Sequence, residues 1–192
     1  GIVLTVLMQS SSASTAITIS FVRAGLMTLN QAAGIVFGAN IGTTFTTLLI
    51  SLNLDQYTLY IVAAGALLLS FSKKKKVKYV GSIIFGFGML FFGLSLMGDA
   101  LAEIKELPQF EAVAISMSNN PLLSLGAGII LTALVQSSAA TIAIIQKLYQ
   151  AGAIDIYAAI PFMFGANIGT TITGILAALG GSLGARRTAG LH

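Results

Sequence analysis

The 192-residue sequence contains no cysteine and no tryptophan, and its single histidine is the last residue, His192. Without cysteine there are no disulfides, thiolate metal centres or cysteine nucleophiles. One terminal histidine leaves no material for histidine catalysis or a histidine metal cluster. Charge is also scarce: charged side chains make up 8% of the chain, against about 25% in ordinary soluble domains. Apolar residues make up 56%, with a mean hydropathy of +0.92. A water-soluble globule of this composition would leave large apolar patches uncovered, so the expected class is an all-α membrane protein. Ten Lys and Arg against six Asp and Glu give a net charge of +4. That excess fits basic cytoplasmic loops, and no nucleic-acid partner is expected. The chain opens inside an apolar run, Gly1-Ile2-Val3-Leu4, without a basic leader, and is expected to be an internal piece of a longer protein.

Apolar stretches long enough to span a bilayer as helices occur at roughly 1–22, 32–52, 57–72, 79–101, 122–146 and 157–180. The charges fall in or beside the joints: Arg23, Asp55, Lys73 to Lys76, Lys78, Asp99, Glu103, Lys105, Glu106, Glu111, Lys147, Asp155, Arg186 and Arg187. The segment 102–120 is polar and is expected to be a surface helix or loop closed by Asn119-Asn120-Pro121.

The chain repeats itself. A shift of 127 residues lays Gly1–Leu52 onto Gly128–Leu179 with 25 of 52 positions identical. Gln9-Ser10-Ser11 falls on Gln136-Ser137-Ser138, and Gly38-Ala39-Asn40-Ile41-Gly42-Thr43-Thr44 falls without a gap on Gly165-Ala166-Asn167-Ile168-Gly169-Thr170-Thr171. Chance similarity between apolar segments would match Leu with Ile, not these mixed polar runs. Duplicated membrane segments with polar, glycine-interrupted helices are what secondary transporters present. A glutamine in mid-membrane is costly unless its amide is satisfied, so Gln9 and Gln136 are expected to face a cavity or ligand, the blander use being an interhelical hydrogen bond. Each Gly-Ala-Asn-Ile-Gly is expected to break its helix around the Asn; the competing use is GxxxG packing, since Gly34, Gly38 and Gly42 have that spacing, as do Gly165 and Gly169. The glycines of 79–101 lack polar neighbours and read as packing alone.

The Lys73–Lys78 cluster sets the orientation, with that loop cytoplasmic and 102–120 outside. If 122–146 crosses, the copies are parallel and Arg186-Arg187 end outside. If it is a re-entrant hairpin broken at Gln136-Ser137-Ser138, three crossings separate the copies, which are inverted, and both basic clusters lie inside. The second arrangement is preferred. No carboxylate lies mid-span to relay protons. Neutral oxygens from Gln, Asn, Ser and Thr suit a weakly held monovalent cation, while helix N-termini favour an anion. A cation-coupled anion transporter follows as the expectation; the residue chemistry does not name the ions.

Gln-Ser-Ser-Ser followed by Ala-Ser-Thr, then Gly-Ala-Asn-Ile-Gly-Thr-Thr, all repeated, resembles the sodium-dependent phosphate cotransporter family (type II Na/Pi, including its bacterial members). The resemblance covers nearly the whole chain, including the Lys-rich loop and Ser118-Asn119-Asn120-Pro121. It implies an inverted-repeat secondary transporter core with two re-entrant or broken helical hairpins, inorganic phosphate as substrate and sodium as the coupling ion, with no cofactor. The implied divisions are 1–54 for the first hairpin and its GANIGTT helix, 55–127 for two connecting transmembrane helices, 128–181 for the second copy and 182–192 for a cytoplasmic basic end. Implied substrate contacts are Gln9, Ser10, Ser11, Ser12, Gln136, Ser137, Ser138, Thr44 and Thr171; implied sodium ligands are Gln9, Asn40, Thr43, Gln136, Asn167 and Thr170. Ala139 departs from the pattern, standing where the first copy has Ser12. The resemblance also implies a multi-pass protein of the cytoplasmic (inner) membrane. It leaves room for a phosphate-uptake-regulator-like domain in the full-length protein and for a homodimer. Competing readings are a passive anion channel and a phosphate-sensing membrane module. An enzyme is not expected, because no nucleophile–base or metal constellation is present.

Overall fold

The computed structural model describes residues 1–192 and is built from helices, with no strand. In chain order they are α1 (Ile2–Met8), α2 (Ser11–Arg23), α3 (Leu29–Ile50), α4 (Thr58–Phe71), α5 (Lys75–Lys105), α6 (Pro108–Asn119), α7 (Pro121–Val135), α8 (Ser138–Gln150), α9 (Ile156–Ala178) and α10 (Leu183–Gly190). The protein is an all-α membrane protein. Helices α3, α5 and α9 are long and apolar enough to cross a bilayer, and α4 is a shorter apolar helix. Large side chains such as Leu48, Leu67 and Ile83 stand exposed on these helices, 64%, 57% and 71% respectively. Such an apolar surface is compatible with lipid and not with water.

The apolar stretches 1–22 and 122–146 are not continuous spans. Each is broken after its glutamine. Gln9 adopts φ 54° and ψ 26°, ending α1 with its N–H on the Thr5 carbonyl, and Gln136 repeats this at φ 59° and ψ 23° on the Thr132 carbonyl. Left-handed backbone at a non-glycine residue costs about 1 kcal/mol or more. The next residue then starts a new helix: Ser10 Oγ accepts the Ala13 N–H at 3.1 Å, and Ser137 Oγ accepts the Ala140 N–H at 3.2 Å.

The arms on either side of each break fold back on one another. Thr5 donates to Ser14 Oγ at 2.9 Å and Thr132 donates to Thr141 Oγ1 at 2.9 Å. Helix α1 runs beside α3 in the same sense, Gly1 meeting Gly38 and Thr5 meeting Gly42; α7 runs beside α9 likewise, Gly128 meeting Gly165 and Thr132 meeting Gly169. With short turns leading from α2 into α3 and from α8 into α9, each second arm reverses direction. These are hairpins.

One expectation is overturned. Helices α3 and α9 pass unbroken through Gly-Ala-Asn-Ile-Gly, so the Asn does not sit at a helix break. The glycines serve close approach instead: a Cβ at Gly165 would lie 2.1 Å from the Leu125 carbonyl oxygen, and one at Gly42 would lie 2.8 Å from Thr5 Cβ. The i−4 hydrogen-bond ladder needs no relief here, so the helix continues. Within 79–101, Gly81 and Gly88 bear on α4, whereas Gly86 and Gly93 meet nothing within 4 Å.

Helices α4 and α5 are antiparallel, Gly65 facing Phe85 and Gly88 facing Val62. Phe91 and Leu94 pack on Ala143, and Gly98 meets Lys147, so α5 and α8 run in the same sense. Segment 102–120 is largely helical: α5 extends to Lys105, and α6 meets α7 at 116° across Asn120, whose Oδ1 accepts the Leu122 N–H at 3.1 Å. Asp155 Oδ1 caps α9, accepting from the Ala158 N–H at 2.9 Å and the Ser118 hydroxyl at 2.8 Å; these bonds hold its carboxyl below the usual range. The basic end is a folded element rather than a tail. Helix α10 packs Ala185 and Ala189 against Ile19 and Ala178 and leaves Arg186 and Arg187 exposed.

Candidate functional site

The two hairpin tips meet. Gln9, Ser10, Ser11 and Ser12 from the first repeat and Gln136, Ser137, Ser138 and Ala139 from the second line one small cavity of about 40 Å³, with Thr5, Thr43 and Thr46 completing it. A larger cavity of about 460 Å³ is lined by Asn40, Thr43, Thr44 and Thr47 of α3 and by Asn167, Thr170 and Thr171 of α9, among others. Ser11, Thr43 and Ser138 line both cavities. All thirteen residues singled out from the sequence therefore line one or both of these adjoining spaces.

Their chemistry is set by which hydrogen-bonding groups remain uncommitted. The first-turn N–H groups of α2 and α8 have no carbonyl four residues back, and both helix N-termini lie at the small cavity. Together with the hydroxyls of Ser11 and Ser138, which bond to nothing else in the chain and are 7% and 6% exposed, they form a donor-rich surface suited to an anion. The threonines are the reverse. Thr43 and Thr170 donate to the carbonyls of Ala39 and Ala166 at 3.2 and 3.1 Å, and Thr44 and Thr171 to those of Ile41 and Ile168 at 2.6 and 2.7 Å. With their hydrogens so directed, these oxygens present lone pairs, which suit a cation better than an anion.

The two tips are not equivalent. Thr46 donates to Gln9 Oε1 at 2.7 Å, while Gln9 Nε2 donates to the Val6 carbonyl at 2.7 Å, so both ends of that amide are held. The repeat partner of Thr46 is Thr173, whose hydroxyl instead pairs with Ser12 Oγ at 3.1 Å and with the Thr170 carbonyl at 2.5 Å. The partner of Ser12 is Ala139, without a hydroxyl. Gln136 is held only at Nε2, on the Ala133 carbonyl.

Sequence reasoning missed Thr5, Thr46, Thr47, Thr173 and Gln146. Thr5 and Thr46 were recoverable, because each is identical to its repeat partner, Thr132 and Thr173. Thr47 and Gln146 have unlike partners, Gly174 and Ile19, so the repeat marks neither. No acid lines either cavity; the one titratable lining side chain is His192, whose burial pushes its imidazole below the usual value.

The family model described as Na+/Pi-cotransporter matches residues 1–99 and 103–186. A Bacillus subtilis protein named "Uncharacterized protein YqeW" is 32% identical over 191 residues, covering all of this chain and 62% of that protein. The "Putative inorganic phosphate export protein YjbB" of Escherichia coli K12 is 28% identical over 189 residues, covering 98% of this chain and 35% of that protein. The human "Sodium-dependent phosphate transport protein 2B" is 37% identical over 105 residues, 52% of this chain and 15% of that protein. The chain thus spans under two thirds of the length of these relatives. No solved structure matches it.

Proposed function

The chain belongs to the Na+/Pi-cotransporter family, and on that premise we propose that it is the core of a transporter carrying inorganic phosphate across the cytoplasmic membrane by alternating access, coupled to sodium. The observation that carries this reading is the meeting of both Gln-Ser-Ser tips around one polar cavity in an otherwise apolar helical protein. Phosphate is held between the N-termini of α2 and α8, by their N–H groups and by Ser11 and Ser138. With no Arg or Lys lining either cavity, sodium offsets the anion's charge. Its ligands are the acceptor oxygens of Gln9, Gln136, Asn40, Asn167, Thr43 and Thr170. Thr44 and Thr171 face the same space as acceptors, so of the implied phosphate contacts they fit least well.

Three reversals, through α3, α4 and α5, separate the repeats and make them inverted in the membrane. The Lys73–Lys78 loop and Arg186-Arg187 then both lie on the cytoplasmic side, in accord with the charge rule. Such pairs of inverted units, each with a broken segment at the midplane, are the usual basis of alternating access. The division at 54, 127 and 181 follows this symmetry, with 182–192 adding α10 against the first hairpin.

The test is labelled phosphate flux in proteoliposomes bearing the full-length protein, under a sodium gradient and with potassium replacing sodium. Flux that requires sodium is expected, in whichever direction the gradient is set. Flux indifferent to sodium would favour the passive channel, and saturable phosphate binding without flux the sensing module.

A further inference from the structure

Among the side chains lining the larger cavity, one carries an oxygen that is itself fully buried and unpartnered. Gln146 on α8 lines that cavity, and its Oε1 is buried with no hydrogen bond from the chain. A buried amide oxygen that nothing in the chain satisfies is costly and calls for a partner. Nor does the fold need a polar group at this position. In the register of the repeat Gln146 corresponds to Ile19, which is 1% exposed and packs with Ala178, Ala185 and Ala189. The exchange is reciprocal one turn earlier, where Thr15 corresponds to Ile142. Thr15 also has an unpartnered hydroxyl, but it is 0% exposed and lines neither cavity. Helix α10 makes the difference: it covers the stripe of α2 that carries Ile19. The matching stripe of α8, Ser138–Ile142–Gln146, faces the cavity.

Gln146 lies eight residues beyond Ser138, about 12 Å along α8 from the tip, and so stands apart from the hairpin residues. Helices α3 and α8 run in the same sense, so the last residue each gives to the cavity, Thr47 and Gln146, lie toward the same end. Thr47 donates its hydroxyl to the Thr44 carbonyl at 2.9 Å and turns lone pairs outward. Two neutral oxygens at one end of a cavity without acids suit a weakly held monovalent cation.

We propose that Gln146 Oε1 is a ligand for the coupling cation at the end of the cavity remote from the hairpin tips, with Thr47 Oγ1 beside it. The site occurs once, because Ile19 stands in its place in the other repeat, so the two halves of the transporter bind cations unequally. The proposal rests on the sodium-coupled reading above, and its test separates the two.

Two measurements on the full-length protein serve: phosphate flux in proteoliposomes titrated with sodium, and thermal stability in detergent titrated with sodium chloride against choline chloride, without phosphate. Gln146→Met keeps the length of the side chain and removes the oxygen; Gln146→Glu keeps an oxygen in place. The Met variant is expected to raise half-saturating sodium about tenfold, with phosphate half-saturation unchanged at saturating sodium, and to lose part of the stabilisation by sodium. The Glu variant is expected to retain both. If Gln146→Met does not fold, Gln146→Asn, which withdraws the oxygen by one methylene, carries the same expectation. A Met or Asn variant with wild-type sodium dependence in both assays overturns the proposal, as does an effect confined to phosphate half-saturation. Wild-type protein indifferent to sodium in both assays overturns the sodium reading itself.

Discussion

Thr132 donates its hydroxyl to Thr141 across 2.9 Å, although nine residues separate them. In an unbroken helix their Cα atoms would be about 13.5 Å apart along the axis. Thr5 and Ser14 make the same contact in the first repeat at 2.9 Å. This pairing distinguishes a hairpin from a straight helix, and the inverted relation proposed for the repeats rests on it.

The first prediction tests that contact directly. The chain has no native cysteine, so Thr132→Cys with Thr141→Cys is a clean reporter. The pair should cross-link within one chain on mild oxidation, since a disulfide joins Cα atoms about 4.4–6.8 Å apart. A free-thiol pair under the same conditions would mean that 122–146 crosses the membrane, and the copies would then be parallel.

The glycines divide into two kinds with opposite expected effects. A Cβ at Gly165 would meet the Leu125 carbonyl oxygen at 2.1 Å, whereas one at Gly126 meets nothing within 4 Å. Gly165→Ala should push α7 from α9 and destabilise the protein by about 1–3 kcal/mol. Gly126→Ala should be neutral, or stabilising by up to about 1 kcal/mol through helix propensity. Thermal unfolding in detergent compares them; equal melting temperatures would argue against the close packing of α7 on α9.

Transport should depend on both glutamines and on the threonines that order the tips. Gln9→Ala and Gln136→Ala are each expected to cut phosphate flux about tenfold or more. Normal flux in either variant would remove that glutamine from the site. Thr46→Val removes the donor to Gln9 Oε1, and Thr173→Val removes the hydroxyl that pairs with Ser12 and with the Thr170 carbonyl; each neutral hydrogen bond lost is worth about 1 kcal/mol or a fewfold change in rate. Initial rates at fixed sodium decide these.

Orientation has its own test. Lys74 and Glu106 are exposed on opposite ends of α5. In intact cells producing the full-length protein, a membrane-impermeant thiol reagent should label Glu106→Cys and spare Lys74→Cys. Labelling at position 74 from outside would reverse the topology.

Composition and repetition alone make part of this protein legible. Membrane class follows from 56% apolar and 8% charged residues, because transfer free energy is summed along the chain whatever the fold. The repeat picked out Gln9, Asn40, Thr43 and their partners, because the same polar residues in mid-membrane twice are hard to explain without a shared task. The positions of the breaks were less legible. The hairpin break expected at Gln136-Ser137-Ser138 is there, with its counterpart at Gln9, and in each the following serine caps the next helix; the second break expected, at the glycines around Asn40 and Asn167, is not, because those helices run through unbroken. The glycines allow close approach between helices, and that use appears only once the neighbouring helix is in place.

The sequence by itself determined that this is a membrane protein with a duplicated, acid-free polar core, since hydropathy and identity under a shift are properties of the linear chain. Only the tertiary structure decided that both tips share one cavity, that Thr46 holds Gln9 while its repeat partner Thr173 holds Ser12, and that α10 covers α2 but leaves Gln146 on α8 lining the larger cavity. These are contacts between residues far apart in the chain. Their partners are chosen by packing, so identical motifs in the two repeats end in unequal surroundings.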